Sequence, residues 1–242
     1  MSMKKTLKQV FAEEQCVLAP EVYDCVSVMA AERCGYKALC LSGAELTMSM
    51  KGVPDLGVMN VEELIWATDR ICDYASIPIV VDAENGYGPA LTAAYNCHRL
   101  AKAGAAGVII VDSPEVRIGG EAAKKIAEKD KGWKWYPDLG AHNGKSDVTL
   151  EEIAPYGYNF VGIHYCLAAA LTAMMDAGKG NFEANNNVYA TMKYTESAIG
   201  SKEQLDGWYD WERQFVPDPK GLRYRWPYSY HLRNEAFDKL EK

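Results

Sequence analysis

The chain has no apolar run approaching the roughly 20 residues of a membrane-spanning helix, no CxxC pair among its seven cysteines, and no excess of positive charge. Each absence excludes something. Without such a run the chain reads as having no membrane segment. The amino-terminal MSMKKTLKQV carries lysines but no apolar stretch and small-residue cleavage site behind them, so it does not read as a secretory signal. Cys16, Cys25, Cys34, Cys40, Cys72, Cys97 and Cys166 are scattered, most of them inside apolar segments such as KALCLSG, a pattern that fits reduced thiols in a cytoplasmic protein. A formal net charge of −7 and a pI near 5.2 argue against general attraction to nucleic acid or an anionic membrane surface. An anionic substrate would need a local cation or metal. No Ser/His/Asp order, phosphate-binding loop, zinc-ligand spacing, internal repeat or low-complexity block is present either.

What is present is alternation. Across 242 residues, 48% of them hydrophobic, short apolar runs alternate with longer amphipathic ones, the pattern of strands joined to helices in βα units around one large core. Strands are predicted at 38–41, 79–81 and 108–111, with a weaker one before Pro20 and further ones at 134–139 and 160–165. Helices are predicted at 23–34, 61–74, 91–103, 119–131, from Thr149, and at 166–175. Asn60 reads as an N-cap with Glu63 completing a capping box. From Gly178 the composition shifts to Asn, Tyr, Trp and charge, beginning with the loop GKGNFEANNN and continuing through a helix at 201–215 to an aromatic, basic tail. The domain expectation is therefore a (β/α) barrel over 1–177 and a helical, aromatic extension over 178–242, packed on a neighbouring subunit because exposed Trp and Tyr bury well.

The segment richest in chemistry is IVVDAENGYGP, where an apolar strand ends in Asp82 and Glu84 before a glycine-rich turn. Residues at the carboxyl ends of barrel strands face the active-site mouth. Two residues apart on extended chain, Asp82 and Glu84 lie on the same side and can share a hard cation such as Mg²⁺ through oxygen ligands. The plainer reading is a solvated acidic loop. Ser42, Gly43 and Ala44 follow KALCL with a hydroxyl and backbone amides that suit a carboxylate or phosphonate; Asp55 lies in GVPDLG, and Asp112 ends VIIV. Each alone is an ordinary turn residue, and their joint position after successive strands is the argument. The loop His142, Asn143, Gly144, Lys145, Ser146 offers donors to an anion or is a surface turn. His164, on an apolar strand, reads as a core histidine.

In order and spacing, VYDCVSVMAAERCGYKALCLSGAEL, GVPDLG, VVDAENGYG and AKAGAAGVIIVD resemble the first four βα units of the phosphoenolpyruvate mutase/isocitrate lyase superfamily, and HNGKSDVTLEEIAPYGYNFVGIHYCLAAALTAM resembles its last two strands. The resemblance implies an α/β, TIM-type (β/α) barrel and Mg²⁺-dependent C–C lyase or decarboxylase chemistry on a small 2-oxo or 2-hydroxy carboxylate. It casts Asp82, Glu84 and Asp112 as metal ligands, and Tyr23, Ser42, Gly43, Ala44, Asn143, Gly144 and Ser146 as substrate-binding residues. By location alone, Asp55, His142 and Lys145 are the acid–base candidates.

Three departures qualify it. Val111 and Asp112 stand where the family has Glu-Asp, and EVRIGGEAAKK has no cysteine where lyases of the family carry a catalytic thiol. Only about 30 residues separate Asp112 from His142, about the length of one βαβ crossover, whereas the family usually places two further βα units there, so the resemblance implies a barrel shortened by about two βα units. Exposed parallel edges then favour a homo-oligomer or a related partner chain. The alternative to an enzyme is a catalytically weak or inactive family member that acts as a ligand-binding or partner subunit.

Overall fold

The computed structural model describes residues 4–110, 132–137, 141–142, 145–146 and 148–194. These fall into two compact units, one ending at Ala170 and the other beginning at Leu171.

The first unit opens with helix α1 (Leu7–Glu13), capped by Thr6 and Gln9 in a reciprocal capping box. Strand β1 (Val17–Val22), α2 (Cys25–Arg33), β2 (Leu39–Leu41), α3 (Gly43–Lys51), α4 (Val61–Tyr74), β3 (Ile79–Asp82), α5 (Ala90–Lys102) and β4 (Gly107–Ile109) follow. After them come β5 (Lys134–Tyr136), the short β6 (Ala141–His142) and β7 (Lys145–Ser146), α6 (Leu150–Ile153) and β8 (Tyr158–Ile163). Helix α7 (Cys166–Ala184) leads into the second unit, which adds α8 (Val188–Tyr194).

Six strands form one sheet in the order β4-β3-β2-β1-β8-β5, and every pairing is parallel. The expected TIM-type α/β barrel is what this sheet and its helices build, with six strands among the described residues.

Side-chain alternation along each strand sorts the core into an inner and an outer set. Val17 and Ala19 of β1, Cys40 of β2, Val80 of β3, Ile109 of β4 and Phe160 of β8 form one cluster, which Leu7 and Val10 of α1 complete. A second contains Val22, Leu39, Leu41, Ile79 and Val81, packed with Val28, Leu64, Ala67, Ile71 and Leu100 of the surrounding helices. Continuing the first set by two residues along three strands gives Glu21, Ser42 and Asp82. The parallel sheet thus turns apolar at one end of its inner face and acidic at the other.

Several elements differ from the sequence reading. Pro20 lies inside β1 rather than after it, opposite Ile163. Helix α3 was not expected; Ser42 starts it by accepting from the Glu45 N–H, and Gly52 ends it at φ 67°. The Gly178–Ala184 stretch, expected as loop, continues α7, because the helix formers Lys179, Glu183 and Ala184, with Lys179 and Glu183 paired at i,i+4, offset its two glycines. Within the polar loop, β6 and β7 pair antiparallel, with Ala141 opposite Ser146 and His142 opposite Lys145. The expected helices at 119–131 and 201–215 lie outside the described residues.

Candidate active site

Strand β3 delivers Asp82 to the end of the sheet, and a tight turn follows it. The Glu84 N–H donates to Asp82 Oδ1 at 3.0 Å, the Gly86 N–H to the Ala83 carbonyl at 2.7 Å, and buried Asn96 Nδ2 to the Gly86 carbonyl at 3.0 Å. Within this turn Glu84 and Tyr87 hold φ values of 50° and 59°, which side-chain-bearing residues seldom adopt. Tyr87 Oη is buried without a hydrogen-bond partner. Strain and an unsatisfied hydroxyl beside a carboxylate are features that sites tolerate for function.

Gly43 fixes how closely the carboxylates approach α3. A Cβ there would lie 2.4 Å from Glu84 Oε1 and 3.4 Å from Asp82 Oδ2, so both side chains converge on the space that glycine leaves open. The Gly43 N–H also donates to Asp82. Burial raises the Asp82 carboxyl above its ordinary range; the Glu84 N–H opposes this, Asp55 reinforces it, and the Gly43 N–H and His164 oppose it. Burial, with Asp82 and Asp55 adding to it, pushes Glu84 up to about 7. Asp55 itself is exposed, yet close enough to act on both.

A second acidic arm stands beside the first. Glu21 is 2% exposed, and its Oε1 has no hydrogen-bond partner. Burial pushes its carboxyl up to about 8, opposed by a hydrogen bond from Cys40, reinforced by Asp82 and Glu45, and opposed again by Ser42. Glu45, in the first turn of α3, is 5% exposed with Oε2 unpartnered, and burial lifts it to about 7 against the Leu167 N–H. Each unpaired buried oxygen costs about 1–3 kcal/mol, more when charged. His164, just past β8, sits between the two: Nε2 is 3.9 Å from Glu21 Oε1 and Nδ1 is 4.0 Å from Glu45 Oε1. Its side chain is 41% exposed, so it is no core histidine; strand β8 ends at Ile163 and releases it at the mouth.

The structure therefore brings together Asp82, Glu84, Gly43, Ser42 and Asp55, with half-buried Ala44 in the same helical turn. Tyr23 stands nearby, its hydroxyl pushed up to about 12 by burial and by Asp24 and Glu45. The pairing of β6 with β7 places the backbones of His142 and Lys145 opposite one another, with Ser146 opposite Ala141 and the Lys145 side chain exposed. Asn143, Gly144 and Asp112 lie outside the described residues. Glu21 and Glu45 were missed. The signal for Glu21 was its two-residue spacing from Val17 and Ala19, which puts it on the face that carries Asp82 on β3.

Among the described residues no three His, Cys, Asp or Glu side chains are arranged to hold a metal ion. Mg²⁺ commonly takes one or two carboxylates and keeps several waters. Two crowded carboxylates whose ionisation is opposed by burial and mutual repulsion fit that demand, because a cation between them relieves both.

A family model described as phosphoenolpyruvate phosphomutase matches residues 7–133. An oxaloacetate decarboxylase of Paraburkholderia xenovorans (strain LB400) is 35% identical over 123 residues, which is 51% of this chain and 41% of that protein. A 2-methylisocitrate lyase of Aeropyrum pernix is 38% identical over 106 residues, 44% of this chain and 34% of that protein. The chain thus spans less than half the length of either relative. A phosphoenolpyruvate phosphomutase structure from Streptomyces platensis subsp. rosaceus superposes with a TM-score of 0.69 at 16% identity, covering 87% of this chain and 98% of that one.

Proposed function

Because this chain belongs to the phosphoenolpyruvate phosphomutase family, we propose that it is a carbon–carbon lyase, of the decarboxylase type, acting on a small 2-oxo or 2-hydroxy carboxylate with Mg²⁺. The observation that carries this reading is the convergence of Asp82 and Glu84 over Gly43 at the carboxyl ends of parallel strands. The relatives' named activities, oxaloacetate decarboxylase and 2-methylisocitrate lyase, both break a carbon–carbon bond in a small carboxylate.

Asp82 and Glu84 would hold the metal, with Asp112 as a third acidic residue. Bound there, Mg²⁺ supplies Lewis-acid stabilisation of negative charge developing on the substrate's 2-oxygen. The first turn of α3, from Ser42 to Ala44, receives the substrate carboxylate, where the helix dipole favours an anion. Asp55 closes the site from its loop. For a decarboxylation the carboxyl carbon leaves as CO₂, its bonding electrons pass into the enolate, and the carbon left behind takes up a proton. Half-exposed between two carboxylates, His164 is the side chain best placed to deliver that proton. With EVRIGGEAAKK where lyases of the family carry a thiol, a route that needs only a proton donor suits this chain better than thiol-dependent cleavage. His142 and Lys145, opposite one another on β6 and β7, act as further donors to the substrate.

We infer a homo-oligomer as well, since the second unit exposes Leu171 by 56%, Met174 by 63%, Met175 by 65% and Phe182 by 87%. No helix among the described residues is long and apolar enough to cross a membrane. We propose a cytoplasmic site of action, a reading that the free cysteines support.

The test is turnover of oxaloacetate and 2-methylisocitrate with Mg²⁺, measured over the rate with Mg²⁺ alone. Release of CO₂ from oxaloacetate supports the decarboxylase reading. Cleavage of 2-methylisocitrate but not oxaloacetate moves the proposal to the lyase type. Binding of oxalate without turnover of either acid favours the second reading, a ligand-binding subunit, to which the missing thiol and the short coverage of the relatives already point.

A further inference from the structure

The buried carboxylates at Glu21 and Glu45 belong to no part of the proposed metal site, and a fold alone gives no reason to keep them. Val or Leu at Glu21 would continue the apolar face of β1 begun by Val17 and Ala19. Instead a carboxylate stands there, 2% exposed, with one oxygen unpartnered. Its surroundings are specific. Gly162 of β8 leaves room for it, since a Cβ on that residue would lie 2.7 Å from Glu21 Oε1. Glu45 reaches the same place from α3, with Oε2 buried and unpartnered. Between them lies His164, one ring nitrogen toward each: Nε2 3.9 Å from Glu21 Oε1, Nδ1 4.0 Å from Glu45 Oε1. Two buried acids from two different elements thus flank the two nitrogens of one half-exposed ring.

We propose that Glu21 and Glu45 are positioning residues for His164: Glu45 fixes the ring through Nδ1, and Glu21 restores the proton that Nε2 gives up. The inference rests on the acid role proposed for His164. In the balanced step an Nε2–H bond breaks as a C–H bond forms on the substrate carbon. The ring, now neutral at Nε2, takes the proton of the Glu21 carboxyl, and Glu21 is left as a carboxylate until solvent at the mouth reprotonates it. No oxidant or further reactant is needed. At 3.9 Å from Glu21 and 4.0 Å from Glu45 the ring lies beyond hydrogen-bond length of both acids, so the step requires each gap to close by about 1 Å.

The groups facing this trio set its charge. Asp82 of β3 and Glu45 act on Glu21, while Cys40 of β2 and Ser42 hydrogen-bond to it. The Leu167 N–H donates to Glu45, and Tyr23 and Cys166 lie within its field. Burial keeps the Glu21 proton on up to about 8, so Glu21 holds a proton to give at neutral pH.

The test combines kinetics with a readout independent of turnover. In the full chain, Glu21→Gln should lower kcat on oxaloacetate about tenfold or more, leave KM within about twofold, and shift the alkaline limb of the kcat–pH profile by about one unit, with Glu21→Asp restoring part of the rate. Glu45→Gln, the second variant should the first not fold, should give a smaller loss with KM likewise unchanged. Wild-type kcat and pH profile in both variants would overturn the proposal. Separately, the carboxyl-carbon resonance of Glu21 is titrated in glutamate-labelled wild type and in His164→Gln. Losing the ring should raise the Glu21 midpoint by about one unit, since a neighbour able to carry positive charge is gone; an unchanged midpoint would overturn the proposal whether or not the chain turns over. If wild type decarboxylates nothing while the midpoint moves, the pairing stands and the proposed reaction falls. If turnover is present and neither the profile nor the midpoint moves, the reaction stands and the pairing falls.

Discussion

Two acidic arms meet at the mouth of this barrel, and they are built differently. The Asp82–Glu84 arm comes from one strand end and the turn after it, with its geometry written into consecutive residues: a donor from Glu84 to Asp82, two unusual φ values, and the open space at Gly43. The Glu21–His164–Glu45 arm comes from β1, α3 and the end of β8, with His164 more than a hundred positions along the chain from either acid. Both bury carboxylates at a cost. The first arm crowds two acids together, a problem that a cation solves; the second interleaves its acids with a base, a problem that a proton solves.

The largest expected effect falls on the first arm. Asp82→Ala should lower any Mg²⁺-dependent turnover of oxaloacetate by about a hundredfold or more, because it removes the charge that anchors the site. A variant with more than about a third of the wild-type rate would show that the first arm is not where the chemistry happens.

The second arm should speak through stability. Glu21 and Glu45 bind protons more tightly in the folded chain, with values of about 8 and 7 against an ordinary 4.5, and Glu84 of the first arm adds to them at about 7. Between about 4.5 and 8 the folded state therefore holds more protons than the unfolded one, and stability falls as pH rises through that window. Glu21→Gln removes the largest of these contributions. It should stabilise the chain at pH 8.5 by on the order of a few kcal/mol and have little effect at pH 4.5, as read by urea unfolding at both values. A loss of stability at pH 8.5 would mean that Glu21 is held ionised by a partner, and the contrast between the arms would disappear.

A subtler change separates positioning from folding in the first arm. Gly43→Ala puts a methyl where Glu84 Oε1 lies within 2.4 Å. Glu84 is the flexible partner, so the melting temperature should change little while Mg²⁺ affinity, read by calorimetry with oxalate present, weakens about tenfold. Unchanged affinity would show that Glu84 is dispensable. The smallest effect is a control away from both arms. Asn60 caps α4 through the Glu63 N–H, so Asn60→Ala should cost about 1 kcal/mol of stability and leave metal affinity and pH dependence alone.

The same contrast explains what could be read from the sequence. Asp82 and Glu84 were legible because a β-branched run ending in acids before glycines is a local pattern, and local patterns survive without coordinates. Strands β2, β3, β4 and β8 and helix α4 were legible for the same reason, down to the Asn60–Glu63 capping box. Glu21 was hidden because it interrupts an apolar strand by one residue, and only the pairing of β1 with β2 and β8 shows that its side faces the mouth. His164 was misjudged because an apolar run precedes it. Its exposure depends on where β8 stops, which hydrophobicity does not mark. Helix α3 escaped because a serine, a glycine and an alanine after a strand look like a loop until Ser42 is seen accepting the Glu45 N–H.

The most direct test of the central claim, that Asp82 and Glu84 form a working metal-assisted carboxylate site, is the thermal shift of wild type and Asp82→Ala at pH 7.5 with Mg²⁺, oxalate, and both together. Stabilisation of wild type only when both are present, growing with occupancy and absent in the variant, is the expected result. Equal shifts in the two proteins, or none in wild type, would contradict it.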